Sequence, residues 1–294
     1  MKTILKLLAV LLLVCLVVFF LYLPAYLISD AKVEIGDNNE DSITIMSANV
    51  RYIAPEDLLQ KSWFYRAELI RSEIDAVNPD IIGFQESTFV HYAYLQKIMV
   101  GYESENAYRD NFVLSEGCPI FWRADKFEKV DSGAFWLSET PEVMSKDWGS
   151  EHYRICVYVV LKEISSGKEF AVFNTHLDHT SNEARINGIQ VVLDKIKEFG
   201  ELPAYLMGDM NAKEDSKTME YAYESFDDSK LISPITDDSN TYHGWGKAED
   251  PRRIDYILIS KGDACVLEYH VVDNNHGGIY ASDHSPIYIK TRLN

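Results

Sequence analysis

Apolar segments of strand length in this chain repeatedly end on residues that bind metal, phosphate or protons, and no other feature constrains the fold as much. "SITIMSAN" ends on Asn49, "DIIGFQE" on Glu86, "FAVFNTH" on Asn174 and His176, and "AYLMGD" on Asp209. "RRIDYI" sets Asp255 between apolar neighbours, and "YASDHSP" presents Asp283 and His284 just before the last strand-like run. Strands that are apolar on both faces must be covered on both sides. In sheets covered by helices, strand ends form a rim where reactive groups are held rigidly.

The remaining periodicities supply the covers. Residues 62–78 read as a helix with Ala67, Ile70, Ile74 and Val77 on one face, and 181–199 as another with the stripe Ile189, Val192, Ile196 and Phe199. Further strands are expected at 118–124, 154–164 and 168–175, and "RIDYILIS", "CVLEYHVV" and "PIYIKTRL" make the last third strand-rich, with a short helix at 215–223. This predicts an α/β domain over 42–294 in which helices cover sheets. Cys118, Cys156 and Cys265 sit in strand-like runs and read as core residues rather than a disulfide framework.

The N-terminus does not belong to that core. Residues 7–28 carry no charge over 22 positions, about 33 Å of helix at ~1.5 Å per residue, enough to span a bilayer. Lys2 and Lys6 precede the run, and Asp30, Glu34, Asp37, Glu40 and Asp41 follow it. The positive-inside rule then leaves the N-terminus cytoplasmic and exports the rest. The expected organisation is a transmembrane signal-anchor at 1–29, an acidic tether at 30–41 and the catalytic domain beyond. Cleavage near Ser29-Asp30-Ala31, giving a secreted protein, is the alternative. The chain carries a formal charge of −18, which becomes −20 once Lys2 and Lys6 are set aside. Such a surface disfavours bulk nucleic acid as a partner unless a basic patch offsets it locally.

Taken singly, each motif has a structural explanation. Asp209 and Asn211 can make an Asx-turn beside Gly208, Glu86 can cap a helix, Asp255 can pair with Arg253, and "SDHSP" can be a turn closed by Pro286. Taken together and in order, they resemble the endonuclease/exonuclease/phosphatase superfamily, which includes DNase I-like nucleases, sphingomyelinases and inositol-polyphosphate phosphatases. "ANV", "GFQES", "NTHLDH", "GDMNA", "RIDYIL" and "SDHSP" match its motifs across nearly the whole part after the tether, and "FWLSETP" and "YRICVY" are similar to segments of bacterial members.

The resemblance implies a four-layer α/β sandwich: two central, mostly antiparallel sheets flanked by helices, with the active site at one rim. It implies Mg²⁺, or Mn²⁺ in its place, on Glu86 with Asn49 and Asp283 assisting, one ion or two being left open. Asp209 would orient and deprotonate the attacking water, Asn211 would bind a phosphate oxygen, and Asp255 would hold His284 against the scissile phosphate. His176 would stabilise or protonate the leaving group, and Asn174 and Arg154 would contact phosphate. One departure stands out. Where some nuclease members carry an acidic ligand two residues past the first asparagine, this chain has Arg51, which cannot ligate a metal.

The expected function is a Mg²⁺-dependent phosphoesterase, anchored on the extracytoplasmic side of a membrane. Its substrate would be a phosphorylated small molecule, a lipid head group or a nucleotide. An exported DNase I-like nuclease is the alternative, with a non-catalytic scaffold behind it. Segments 102–117, 139–153 with Trp148 and His152, and 271–281 with His276 are the candidate substrate loops.

Overall fold

The computed structural model describes residues 2–36 and 42–294, with the backbone alone for 18–28. In chain order its elements begin with helix α1 (Lys2–Ile28), strand β1 (Ile43–Asn49), helix α2 (Trp63–Val77), β2 (Ile81–Gln85) and α3 (Phe89–Ile98). There follow β3 (Tyr102–Glu105), β4 (Ile120–Arg123), β5 (Phe127–Trp136), β6 (Ile155–Glu163), β7 (Glu169–His176), α4 (Asn182–Lys197) and β8 (Ala204–Asp209). The last third adds α5 (Lys217–Ser225), β9 (Phe226–Asp228), α6 (Ser229–Ile232), β10 (Asp255–Ser260), β11 (Ala264–Val271) and β12 (Ile287–Leu293).

The strands form two six-stranded sheets, ordered β11-β12-β1-β2-β4-β3 and β5-β6-β7-β8-β10-β9. Each is mixed: β1–β2 and β7–β8 pair in parallel, and the other neighbours run antiparallel. The parallel pairs are the two places where a helix crosses over, α2 in one sheet and α4 in the other. A parallel connection needs such a crossover, whereas antiparallel strands do not.

Strand alternation divides the side chains into layers. Ile43 and Ile45 of β1, Phe170 and Val172 of β7, Tyr205 and Met207 of β8, and Ile257 and Ile259 of β10 share one core cluster between the sheets. Their outward neighbours in the second sheet, such as Phe173, Leu206 and Leu258, pack with Ile189, Val192 and Ile196 of α4. Met46, Ala48, Ile82 and Phe84 do the same in the first sheet against Trp63, Ala67, Ile70 and Ile74 of α2. Helix, sheet, sheet and helix are thus four layers around three apolar interfaces, as expected. All four cysteines are free.

The packed body begins before β1. Val33 is buried in the α2/α3 layer, its amide donates to Ile98 O at 2.9 Å, and the Glu34 amide donates to Asp75 Oδ1 at 2.9 Å. The stretch read as a tether from residue 30 is therefore seated on the domain at 33–34, and 37–41 lie outside the described residues. The anchor expectation rests partly on side chains in 18–28, which are also outside them. Among the described residues, no helix is long and apolar enough to cross a membrane.

Candidate active site

The same alternation that fills the intersheet core delivers its last inward positions to one rim. Continuing from Ile43 and Ile45, the inward series of β1 ends on Asn49. That of β7 runs from Phe170 and Val172 to Asn174 and His176, and that of β8 from Tyr205 and Met207 to Asp209. In register, His176 pairs with Asp209 and Asp209 with Asp255, so three functional groups stand side by side on adjacent strands. Gly208 permits this closeness: at φ +139° it lies so near β7 that an added Cβ would meet Thr175 O at 1.9 Å. Gly208 thus serves the contact between the two strands.

Just beyond the strands the backbone is strained. Arg51 (φ 55°), Glu86 (φ 60°) and Asn211 (φ 47°) all occupy the left-handed region, at a cost of ~1–3 kcal/mol each, and such strain clusters at functional sites. The three side chains turn into one cleft of about 490 Å³, shared with His176, Asp209 and His284.

Asp209 is the hub. Its Oδ1 accepts the Asn211 amide at 2.9 Å, the Asx-turn anticipated as the structural reading. Its Oδ2 accepts Asn49 Nδ2 at 3.1 Å and lies 3.5 Å from His176 Nε2 and 3.7 Å from His284 Nε2. Burial, then the Asp255 charge, push its carboxyl up to about 7, against the opposing pull of His284. His284 Nδ1 is 2.9 Å from Asp255 Oδ2. Although burial opposes its charge, Asp255 and Asp209 outweigh that and hold the imidazole well above its ordinary value. His176 goes the other way, driven well below by burial and then by Arg154 and Arg109. Its Nε2 sits 2.9 Å from Asn211 Nδ2 and, as a neutral ring, accepts that hydrogen bond. One cationic and one neutral histidine therefore flank a carboxylate poised near neutrality.

Glu86 Oε1 accepts Asn49 Nδ2 at 3.0 Å, and Oε2 accepts the Tyr52 amide at 2.8 Å. Burial works against its ionisation, but the Tyr52 amide and Arg51 prevail and hold its carboxyl below the usual value. Each oxygen keeps a lone pair for a cation. With Asp283 across the cleft, whose carboxyl is raised by burial and by Glu86, the donors are all oxygen and suit a hard divalent cation completed by water. Asn49 links the carboxylates of this site. Its Nδ2 faces both Glu86 and Asp209 while its Oδ1 accepts the Arg51 amide at 2.9 Å, so it bridges two carboxylates. Arg51, 3.7 Å from Asp283 and paired with Asp57 at 2.8 Å, puts a fixed positive charge where a second metal ligand would stand.

The expectation that Asn174 binds phosphate is corrected. Asn174 is fully buried, accepts Gln85 Nε2 at 2.7 Å and donates to Phe84 O at 2.8 Å and Pro119 O at 3.1 Å. Its amide fastens one sheet to the other below the rim. Arg154 does line the cleft. It is 5% exposed, reaches His179 Nδ1 with Nη2 at 3.2 Å and stands 3.9 Å from Asp178. Of the substrate loops, 102–117 contributes Arg109 and Glu116, and 139–153 contributes Glu151 and His152. Segment 271–281 contributes nothing to the cleft lining, and its His276 instead meets the buried Glu73 of α2 at 3.0 Å.

A family model described as endonuclease/exonuclease/phosphatase matches residues 46–284, a span that contains every group of this cleft. The chain belongs to that family. Among solved relatives, a mannosyl-6-phosphatase of Bacteroides thetaiotaomicron is 30% identical, with a TM-score of 0.78 over 85% of this chain and 99% of that one. Protein angel of Drosophila melanogaster is 28% identical over 54% of this chain, which spans 47% of its length. The Ccr4 subunit of Candida albicans, a 3'-5'-exoribonuclease of the CCR4-Not complex, is 23% identical over 58% of this chain, which spans 25% of its length. The family comprises nucleases and phosphatases, so an enzyme that hydrolyses phosphate esters is indicated.

Several residues that shape this cleft were not singled out from sequence. Arg66 is fully buried on α2; its Nη1 donates to Val50 O and Ala281 O at 2.9 and 2.5 Å, and its Nη2 to Arg51 O at 3.1 Å. It thereby clamps the two loops that carry Arg51 and Asp283. Asn274 holds the "SDHS" turn through Ser282 O and His284 O at 3.1 and 2.6 Å. A charge at a stripe position, Arg66 between Trp63 and Ile70, was the available signal for the first. Asp178 and His179 lay unused inside the quoted "NTHLDH".

Proposed function

We propose that the chain is a Mg²⁺-dependent phosphoesterase of compact phosphorylated molecules, most readily phosphomonoesters, held by its N-terminal helix on the extracytoplasmic side of a membrane. One observation carries the reading. A general base near neutrality, Asp209, and a cationic His284 anchored by Asp255 face each other within 3.7 Å, in a cleft of about 490 Å³. That volume suits a drug-sized ligand. The 30% identity to a mannosyl-6-phosphatase over nearly all of its length supports the phosphatase branch.

In this reading Asp209 takes a proton from the water that adds to phosphorus, and the ester P–O bond opposite breaks. The leaving oxygen takes a proton from solvent while Asp209 gives up the one it removed, so one ester and one water become one alcohol and one phosphate. His284 donates to a phosphoryl oxygen and stabilises the charge that develops there. His176 and the amide of Asn211 fix the geometry around Asp209. A divalent cation held by Glu86 and Asp283 would supply further neutralisation of the phosphoryl oxygens. The exposed apolar side chains of α1 between Ile4 and Val17, with the charge asymmetry around the uncharged run, support the anchor.

A screen of the full chain with Mg²⁺ against sugar, lipid-headgroup, nucleotide and polynucleotide phosphates tests the reading. Turnover of a small ester is expected, abolished by chelation and reduced by about 10²–10⁴ in Asp209→Ala and His284→Ala. Activity that survives both substitutions would sink the mechanism. The nuclease alternative draws on the exoribonuclease similarity and would be favoured by turnover confined to polynucleotides.

A further inference from the structure

Beyond His176 the cleft wall is built from two segments locked together by one carboxylate. Asp178, buried at the end of the β7 extension, accepts the amides of Thr180 and Ser181 at 2.9 and 2.7 Å. It also accepts Ser150 Oγ at 3.0 Å and the Glu151 amide at 3.1 Å. Ser181 Oγ adds a bond to Trp148 O at 2.7 Å. This fixes Glu151, His152 and His179 at the mouth. The two imidazoles stack with centroids 5.7 Å apart and planes 19° apart. Glu151 Oε2 accepts Thr180 Oγ1 at 2.7 Å and lies 3.4 Å from His179 Nε2.

These three side chains lie close enough to hold a cation, with ligand atoms within 4.8 Å of one another, but Arg154 argues otherwise. A guanidinium only donates, so His179 Nδ1, 3.2 Å from Arg154 Nη2, is an acceptor, and the proton of the neutral ring is on Nε2, facing Glu151. A metal on Nε2 would need both ring nitrogens stripped. The trio is instead a row of alternating donors and acceptors, and its exposed carboxylate repels a second phosphate.

We propose that Glu151, His152 and His179 form the leaving-group subsite of the enzyme and take the neutral hydroxyl-bearing part of a polyol monophosphate. Glu151 accepts from sugar hydroxyls, the Nε2–H of His179 donates to one, and the stacked rings offer a flat edge to the sugar. Arg154 couples this row to the phosphate end. The proposal rests on the phosphoesterase reading and adds to it the class of alcohol released.

The test compares kcat/KM of the full chain with Mg²⁺ on mannose 6-phosphate and on phenyl phosphate, which shares the ester but lacks the hydroxyls. Wild type is expected to favour the hexose ester. Glu151→Ala should lower the hexose-to-phenyl ratio about tenfold or more, because a hydrogen bond to a charged group is lost, and His179→Ala about threefold to tenfold, because a neutral one is lost, both chiefly through KM. Glu151→Gln, which keeps an acceptor oxygen, should lose less. A wild-type enzyme without hexose preference, or a ratio unmoved in both alanine variants, overturns the subsite while leaving the phosphoesterase reading intact. Loss of one bound metal equivalent in Glu151→Ala, measured by elemental analysis, would assign the trio to a cation and overturn it as well. If wild type hydrolyses neither ester, the phosphomonoesterase reading itself fails.

Discussion

Asp209 and His284 face each other at 3.7 Å with opposite demands. In the proposed mechanism Asp209 works as a base only when ionised, so activity should climb as pH rises through its ionisation. His284 works there only as the imidazolium, so activity should fall once pH passes its raised value. Burial and Asp255 put the Asp209 carboxyl at about 7, and a cation on Glu86 favours its ionised form. NMR titration of the metal-free chain should therefore find Asp209 near 7, and Mg²⁺ should move it down. Asp255→Asn removes the charge that most strongly sustains the imidazolium. The descending limb of its pH–rate profile should move to lower pH with a drop in kcat. A descending limb unmoved in that variant would show that His284 does not set it. These groups were legible in sequence because each sits at or just outside an end of an apolar strand. The protonation states were not, since they arise from contacts between residues 29 and 46 positions apart.

At the scale of elements, the parallel pair β7–β8 sets the position of the catalytic row. Gly208 is where that pair can be broken cleanly. A methyl there would stand 1.9 Å from Thr175 O at φ +139°, so both backbone conformation and interstrand contact are lost. Gly208→Ala should destabilise by about 1–3 kcal/mol or more and lower kcat by moving Asp209 against His176. Thermal denaturation and kinetics measure the two effects, and a variant with wild-type Tm and kcat would refute the account. Both crossover helices, α2 and α4, were readable from apolar stripes, as were the strands that fill the intersheet core. β5 was not, because its exposed outer half and the register shift between Lys129 and Asp131 erase the period-two signal. α3 was missed for a related reason: the segment "FVHYAYLQKI" has aromatics around much of its circumference and no clean stripe. Asn174 shows the limit of motif reading. Its place on an inward strand position was right, but the first sheet takes up its amide before any substrate can.

The molecule as a whole carries a formal charge of −18, and the arginines lining the cleft are engaged: Arg51 with Asp57 and Asp283, Arg109 with Glu116 at 2.7 Å, and Arg252 3.7 Å from Asp250 and over the Tyr242 ring. Arg154 is buried against His179 and Asp178. Among the described residues, a polyanion approaching this rim would find no run of unpaired basic groups to displace its counterions, and counterion release is what gives nucleic-acid binding both its strength and its salt dependence. A single phosphate meets a different situation, since in the proposed mechanism it needs only the cation and His284 at the bottom of the cleft. Two measurements separate these cases. The logarithm of kcat/KM for a small phosphomonoester, plotted against the logarithm of salt concentration at fixed Mg²⁺, should have a slope near zero, and single-stranded DNA or RNA should not compete. A slope of several, with inhibition by polynucleotide at low salt, would require a basic track that the ion pairs at this cleft do not leave open, and would move the enzyme to the nuclease side of its family.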